Sequence, residues 1–257
     1  MTDDVFTYRF DRRPEVIVFA EEAEFKDTYG GDENVVLLEA HHLVPDGNPS
    51  DTVLIFMHPV GAGAYLPMVG ALARAGHHVI YCNSRYRTGD MALIMEKVVL
   101  DLAACVRHAK EQLDYEKVVL AGWSGGGSLS LFYQAEAEDP TVTSTPAGEP
   151  PDLTAAGLIP ADGILLLAAH VSRAHTLTEW LDASILDEAD PTRRDHELDL
   201  FDPTNPNQPP YSDDFVLRYR EAQVERNRRI TAWAREKLAE LNPPGAAKPA
   251  EFGFVVH

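Results

Sequence analysis

At 257 residues, with 45% hydrophobic and 25% charged residues, the chain has a globular composition and enough length for one large α/β domain. Its 41 acidic residues against 22 Lys and Arg leave a formal charge of −19, which disfavours a nucleic-acid partner because phosphate binding needs a basic face. Two cysteines, an acidic start and no apolar run of about 18 residues predict a cytoplasmic protein with no membrane partner.

In chain order, the β-branched runs 16–20 and 35–38, joined through Tyr29-Gly30-Gly31-Asp32, predict an antiparallel hairpin. The unbroken apolar run 52–57 predicts a strand covered on both faces, and it ends at His58-Pro59-Val60-Gly61. A helix carrying Met68, Leu72 and Ala73 follows; Gly76 stops it, and 78–82 is the next strand. Asp90 is a candidate cap for a helix over 91–112, where Leu93, Ile94, Val98, Leu102, Val106 and Ala109 recur at helical spacing.

The next run, Val118-Val119-Leu120-Ala121-Gly122-Trp123-Ser124-Gly125-Gly126-Gly127, is a strand that breaks into a serine bracketed by glycines. In a G-x-S-x-G turn the serine occupies a strained position, and its neighbours must lack side chains so that strand and helix can approach. Gly122, Gly125 and Gly126 meet that need, and 128–135 is the following helix. Residues 136–162 form an aperiodic surface excursion, and 164–169 a buried strand ending at His170. The acidic, proline-punctuated stretch 171–210 is expected to belong to a lid. An amphipathic helix is predicted from Asp213 to Leu241, and a strand at 252–256.

The His58-Pro59-Val60-Gly61 loop and the Gly122-Trp123-Ser124-Gly125-Gly126 elbow make the sequence resemble the α/β-hydrolase fold superfamily, over most of the chain. The resemblance implies an α/β fold with a mostly parallel sheet flanked by helices: a core at 1–170 and 242–257, and a helical lid insertion at 171–241. By resemblance Ser124 is the nucleophile of a serine esterase, and the N–H groups of Val60 and Gly125 form the oxyanion hole, with His58, Gly61 and Trp123 in support. Pro59 departs from the family's usual glycine and has no N–H to give, so the loop donor falls to Val60 or Gly61.

A serine needs a base, and the base needs an acid. The family supplies them in the order Ser, Asp or Glu, His, after the lid. The resemblance therefore places both beyond residue 257, with the last sheet strand or strands also lacking. Within the chain, His170 is the candidate base, since it follows a sheet strand; Asp162, which precedes that strand, belongs at its far end. His175 and His196 fall in polar lid segments. His257 has the right chain order but no final strand to present it.

The expected reaction is hydrolysis of a carboxylic ester, thioester or amide through an acyl-enzyme. Trp180, Leu181, Phe215, Tyr219 and Trp233 suggest a small substrate with an apolar acyl group or a ring. Arg226, Arg228, Arg229 and Arg235 either meet an anionic group or pair with Glu221, Glu225 and Glu236 along their helix. No cofactor or metal is expected: the acidic cluster 187–202 lacks calcium-loop spacing, and His41-His42 and His77-His78 each point to opposite faces of a strand. The alternative readings are a non-catalytic binding protein on the same fold, and an inactive piece of a longer hydrolase.

Overall fold

The computed structural model describes residues 7–21, 35–89, 93–243 and 252–257. By compactness the chain divides into two units, Met1–Ser172 and Arg173–His257.

The first unit is built on a six-stranded sheet in the order β1-β2-β4-β3-β5-β6. β1 (Phe10–Ala20) and β2 (Val35–Pro45) form the antiparallel hairpin, each 11 residues long and so well beyond the runs that predicted them. The turn at 29–32 lies outside the described residues. β2 pairs antiparallel with β4 (His78–Cys82), and β4, β3 (Thr52–Phe56), β5 (Lys117–Trp123) and β6 (Gly163–Leu167) run parallel.

Alternation sorts the side chains of these strands onto two faces. Val53, Ile55, Ile80, Cys82, Val118 and Leu120 pack against α2 (Met95–Glu111) and α3 (Gly125–Glu138). Phe56, Val79, Tyr81 and Ala121 pack with Val69 and Ala73 of α1 (Pro67–Arg74), where Pro67 at the first turn presets φ. Both faces are covered, which is why the central strands read as continuous apolar runs. Cys82 and Cys105 are buried free thiols in the α2/α3 layer, and the contact with the Cys105 thiol, then burial, pushes the Cys82 thiol up.

Two expectations shift. The helix predicted from 91 begins at Met95, and Ile94 at its cap position gives no side-chain hydrogen bond; Asp90 lies outside the described residues. The excursion 136–162 carries one short 3-10 turn, Leu153–Ala155, capped by Asp152.

The second unit contains α4 (Arg173–Glu179) and the 29-residue α5 (Asp213–Leu241), which has the predicted bounds and is capped by Ser212. Phe215, Ala183 and Leu198 form its small core, with Tyr211, Tyr219 and Ala222 packed around them. The fully buried Arg226 makes a two-pronged pair with Glu188, both contacts 2.7 Å, and donates to the Asp182 carbonyl at 2.8 Å. Its charge is thus spent on tying the acidic loop to α5. Arg228 pairs with Glu225 on its own helix, and Arg229 donates to the Ile185 carbonyl.

The strand expected at 252–256 is not formed, and 252–257, expected to rejoin the core, group with the second unit. Their alternating aromatics find a partner in Trp233 instead, at 4.7 Å from the Phe254 ring and 6.3 Å from that of Phe252. The ring contacts to Trp233 take the place of strand pairing, although Phe252 and Phe254 stay exposed.

Candidate active site at the strand ends

Ser124 stands between β5 and α3 with φ 52° and ψ −125°, a backbone region that L-residues avoid. The glycines around it are sterically required. A Cβ on Gly122 would lie 2.6 Å from the Cα of Gly127, and one on Gly126 2.5 Å from the carbonyl oxygen of Met57. A Cβ on Gly127 would lie 2.4 Å from that of Ala169. The elbow is therefore wedged between the ends of β3, β5 and β6, and no side chain fits in the wedge.

Two N–H groups converge on the Ser124 carbonyl, Gly127 from α3 at 3.0 Å and His170 from the segment after β6 at 2.9 Å. The Ser124 N–H donates back to Leu167 at 3.3 Å. These bonds hold the serine in its strained turn and set His170 beside the elbow by its backbone. Ala168, at φ 43°, is a second non-glycine residue in the left-handed region on this approach. The free N–H groups at the start of α3 and the helix dipole direct positive potential toward Ser124, and no acidic residue in the first turn opposes it.

The loop after β3 is pinned from several sides. Ser84 Oγ donates to the Pro59 carbonyl at 2.7 Å, and the Gly61 N–H donates to the Tyr86 carbonyl at 3.0 Å. The buried Asp101 carboxylate accepts from the Arg85 N–H at 2.9 Å and from its guanidinium at 2.8 and 3.0 Å, so α2 fixes the Ser84-Arg85-Tyr86 turn. Sequence reading missed these residues because the link joins β3, β4 and α2; the only local trace is the polar Asn83-Ser84-Arg85 that ends a buried strand.

His58 Nδ1 lies 2.6 Å from the Val60 carbonyl and 3.3 Å from the Val60 N–H. One ring nitrogen cannot donate and accept at once. The shorter contact puts the proton on Nδ1, as donor to the carbonyl, which leaves the Val60 N–H to other acceptors. The Nε2 edge then faces the elbow, 2.9 Å from where a Cβ on Gly125 would stand, and the ring tilts against Trp123 at a centroid distance of 5.8 Å. The Gly61 N–H, held by Tyr86, is not the available donor of the pair.

Ser124, Gly125, His58, Val60, Gly61, Trp123 and His170 thus gather at one end of the sheet. Among the described residues the Ser124 hydroxyl makes no side-chain hydrogen bond. Asp162 is at the opposite end, where it accepts from the Val118 N–H at 2.8 Å and from Lys110 at 3.1 Å; these contacts hold its carboxyl below the usual range, the first contributing most. In the second unit His196 Nδ1 lies 3.0 Å from Asp202, whose carboxyl is held down at about 2 mainly by that contact. His257 is exposed.

No family model and no curated protein matches the chain. Solved structures do. Brefeldin A esterase, a bacterial homologue of human hormone sensitive lipase, is 20% identical over 54% of this chain and 38% of its own, with a TM-score of 0.35. An α/β serine hydrolase homologue from Coxiella burnetii is 22% identical over 40% of this chain and 53% of its own, with a TM-score of 0.34. A bacterial heroin esterase is 16% identical over 68% of this chain and 47% of its own, with a TM-score of 0.38. The chain spans 38% to 53% of the length of these three proteins. Among the described residues no helix is long and apolar enough to cross a membrane, and no group of three or more His, Cys, Asp or Glu is arranged to hold a metal ion.

Proposed function

We propose that the chain carries the nucleophile and oxyanion site of a serine hydrolase of the α/β-hydrolase class that cleaves carboxylic esters. The observation that carries this reading is the Ser124 backbone, strained at φ 52° and enclosed by three glycines that admit no Cβ. A structural turn has no use for that arrangement with serine at its apex, because glycine there would relieve the strain. In the proposed reaction Ser124 Oγ attacks the ester carbonyl and the hydroxyl proton passes to a base. The tetrahedral oxyanion collects the N–H groups of Gly125 and Val60, the alcohol leaves with a proton, and water releases the acid from the acyl-enzyme. His58 acts as a positioning residue: its bond to the Val60 carbonyl orients the loop that supplies one donor.

His170 is the base that this reading favours within the chain, because its backbone bond to Ser124 already places it at the elbow. Small esters are the proposed substrates, and the cytoplasm is the proposed setting. The test is covalent labelling with a fluorophosphonate probe, comparing the chain with Ser124→Ala and His170→Gln. Stoichiometric labelling that disappears in Ser124→Ala is expected, with a drop of at least about a hundredfold in labelling rate for His170→Gln. Labelling that survives Ser124→Ala overturns the nucleophile; an unchanged rate in His170→Gln removes that base and leaves the nucleophile standing.

A further inference from the structure

Val60, the proposed loop donor, is flanked by two peptide units, and each is held from outside. The Pro59–Val60 unit is trans, so it points the Pro59 carbonyl and the Val60 N–H in opposite directions. The Ser84 hydroxyl donates to that carbonyl at 2.7 Å. The Val60–Gly61 unit is held at its carbonyl by His58 Nδ1 at 2.6 Å, and its N–H donates to the Tyr86 carbonyl at 3.0 Å. With the His58 proton on Nδ1, the Val60 N–H is the one group of the four left for a ligand, and the plane it lies in is set at the other end by Ser84.

The Ser84 hydroxyl has little freedom to turn away. It is buried, and its oxygen accepts from the Tyr86 N–H at 3.2 Å, which leaves its proton for Pro59. A hydrogen bond to a peptide carbonyl also polarises the N–H of the same unit, so Ser84 strengthens the donor as well as aiming it. The serine is fixed in turn through its neighbour: Asp101 Oδ2 accepts from the Arg85 N–H at 2.9 Å, and Oδ1 accepts from the guanidinium at 2.8 and 3.0 Å. Arg85 also reaches Glu21, just past β1, and lies 5.9 Å from the centre of the Phe19 ring. Stability alone does not explain this pair. Asp101 is fully buried, and burial pushes its carboxyl up against the pull of Arg85. Apolar side chains of similar volume in place of a buried ion pair are often neutral or stabilising, so what the pair contributes is a fixed geometry. The geometry it fixes is that of Ser84.

We propose that Ser84 is a positioning residue of the oxyanion site, held in place by Asp101 through Arg85, and that its bond to the Pro59 carbonyl aims the Val60 N–H. Its catalytic effect rests on the esterase reading of Ser124; its grip on the peptide does not.

The experiment takes the intact chain, Ser84→Ala, Ser84→Thr and Asp101→Asn, with Tyr115→Phe as a variant weakened at the far end of the sheet. Two quantities are read on each: the Pro59 carbonyl-carbon and Val60 amide shifts by NMR, and the rate of fluorophosphonate labelling per folded molecule, resolved into a saturating rate constant and a half-saturating probe concentration. In Ser84→Ala both shifts should move and the rate constant should fall about thirtyfold, less than the loss of a whole oxyanion donor, with the half-saturating concentration unchanged. Ser84→Thr keeps the hydroxyl and should recover the rate to within about threefold. Asp101→Asn, which carries the test if Ser84→Ala does not fold, should lower it about tenfold. Tyr115→Phe should leave it unaltered. A rate no better in folded Ser84→Thr than in Ser84→Ala overturns the proposal, and so does a fall of the same size in Tyr115→Phe, which traces the loss to stability. Unmoved Pro59 and Val60 shifts in Ser84→Ala overturn it independently of any turnover. Shifts that move in a chain the probe never labels remove the esterase reading and with it the catalytic role; labelling at full rate in Ser84→Ala removes the positioning role and leaves the nucleophile.

Discussion

The two ends of the parallel sheet handle polar groups in opposite ways. At the end where β4 and β5 begin, buried groups bond to one another: the Tyr115 hydroxyl sits 2.7 Å from His42 Nε2 and 2.5 Å from His78 Nδ1, and His78 Nε2 reaches the Asn48 carbonyl at 2.7 Å, while His42 Nδ1 is buried with no hydrogen-bond partner among the described residues. Asp162 closes the same end through Val118 and Lys110. At the other end the chain accepts backbone strain, in Ser124 and in the left-handed Ala168. One end spends its polar chemistry on holding the sheet together. The other holds strained backbone around the candidate site, and that is the difference between the two ends.

The contrast breaks most severely where the wedge is closed. Gly126→Ala would drive a Cβ to 2.5 Å from the backbone oxygen of Met57, which has no side-chain freedom to yield. A destabilisation of about 3 kcal/mol, the upper range for overpacking, is expected in urea unfolding, together with loss of probe labelling.

A smaller effect sharpens the scaffold side. Tyr115→Phe removes the hydroxyl shared by two buried histidines and should cost about 1–3 kcal/mol, with probe labelling per folded molecule intact. The same cluster sets a pH dependence. Burial first, then the neighbouring His78, Arg13 and His108 charges, lower the His42 pKa from 6.5 to about 4. The unfolded chain therefore binds more protons between those values, so this contribution to stability is full above about 6.5 and is lost as pH falls toward 4. Urea midpoints measured across that window should decline with acid, and the decline should flatten in His42→Gln. An equal slope in that variant would assign it to other groups.

The smallest change should run the other way. Ser124→Gly abolishes labelling, yet it relieves a conformation that glycine tolerates and should raise stability by about 1 kcal/mol. A loss of stability instead would mean that the serine is no strain reservoir.

Much of this division is legible in the sequence. Parallel strands covered on both faces announce themselves as apolar runs, and the elbow does so because its steric demand falls on consecutive residues. The bounds of α5 follow from a periodic apolar stripe, and the structure adds Ser212 as its cap. The polar clusters are not legible. Alternation puts His41 and His42 on opposite faces of β2, but pairing of β2 with β4 brings His42 near His78, and Tyr115 joins them from beyond α2. The pattern at 252–256 misleads in the opposite sense: two aromatics at strand spacing contact Trp233 on a helix and form no strand.

One carbonyl joins these themes. The Ser124 oxygen accepts from α3 and from the His170 N–H at once, so the chain leaving β6 and the helix following β5 share a fastening point. Replacing the segment after Leu167 with one of another conformation would therefore shift the Ser124 turn along with the segment itself.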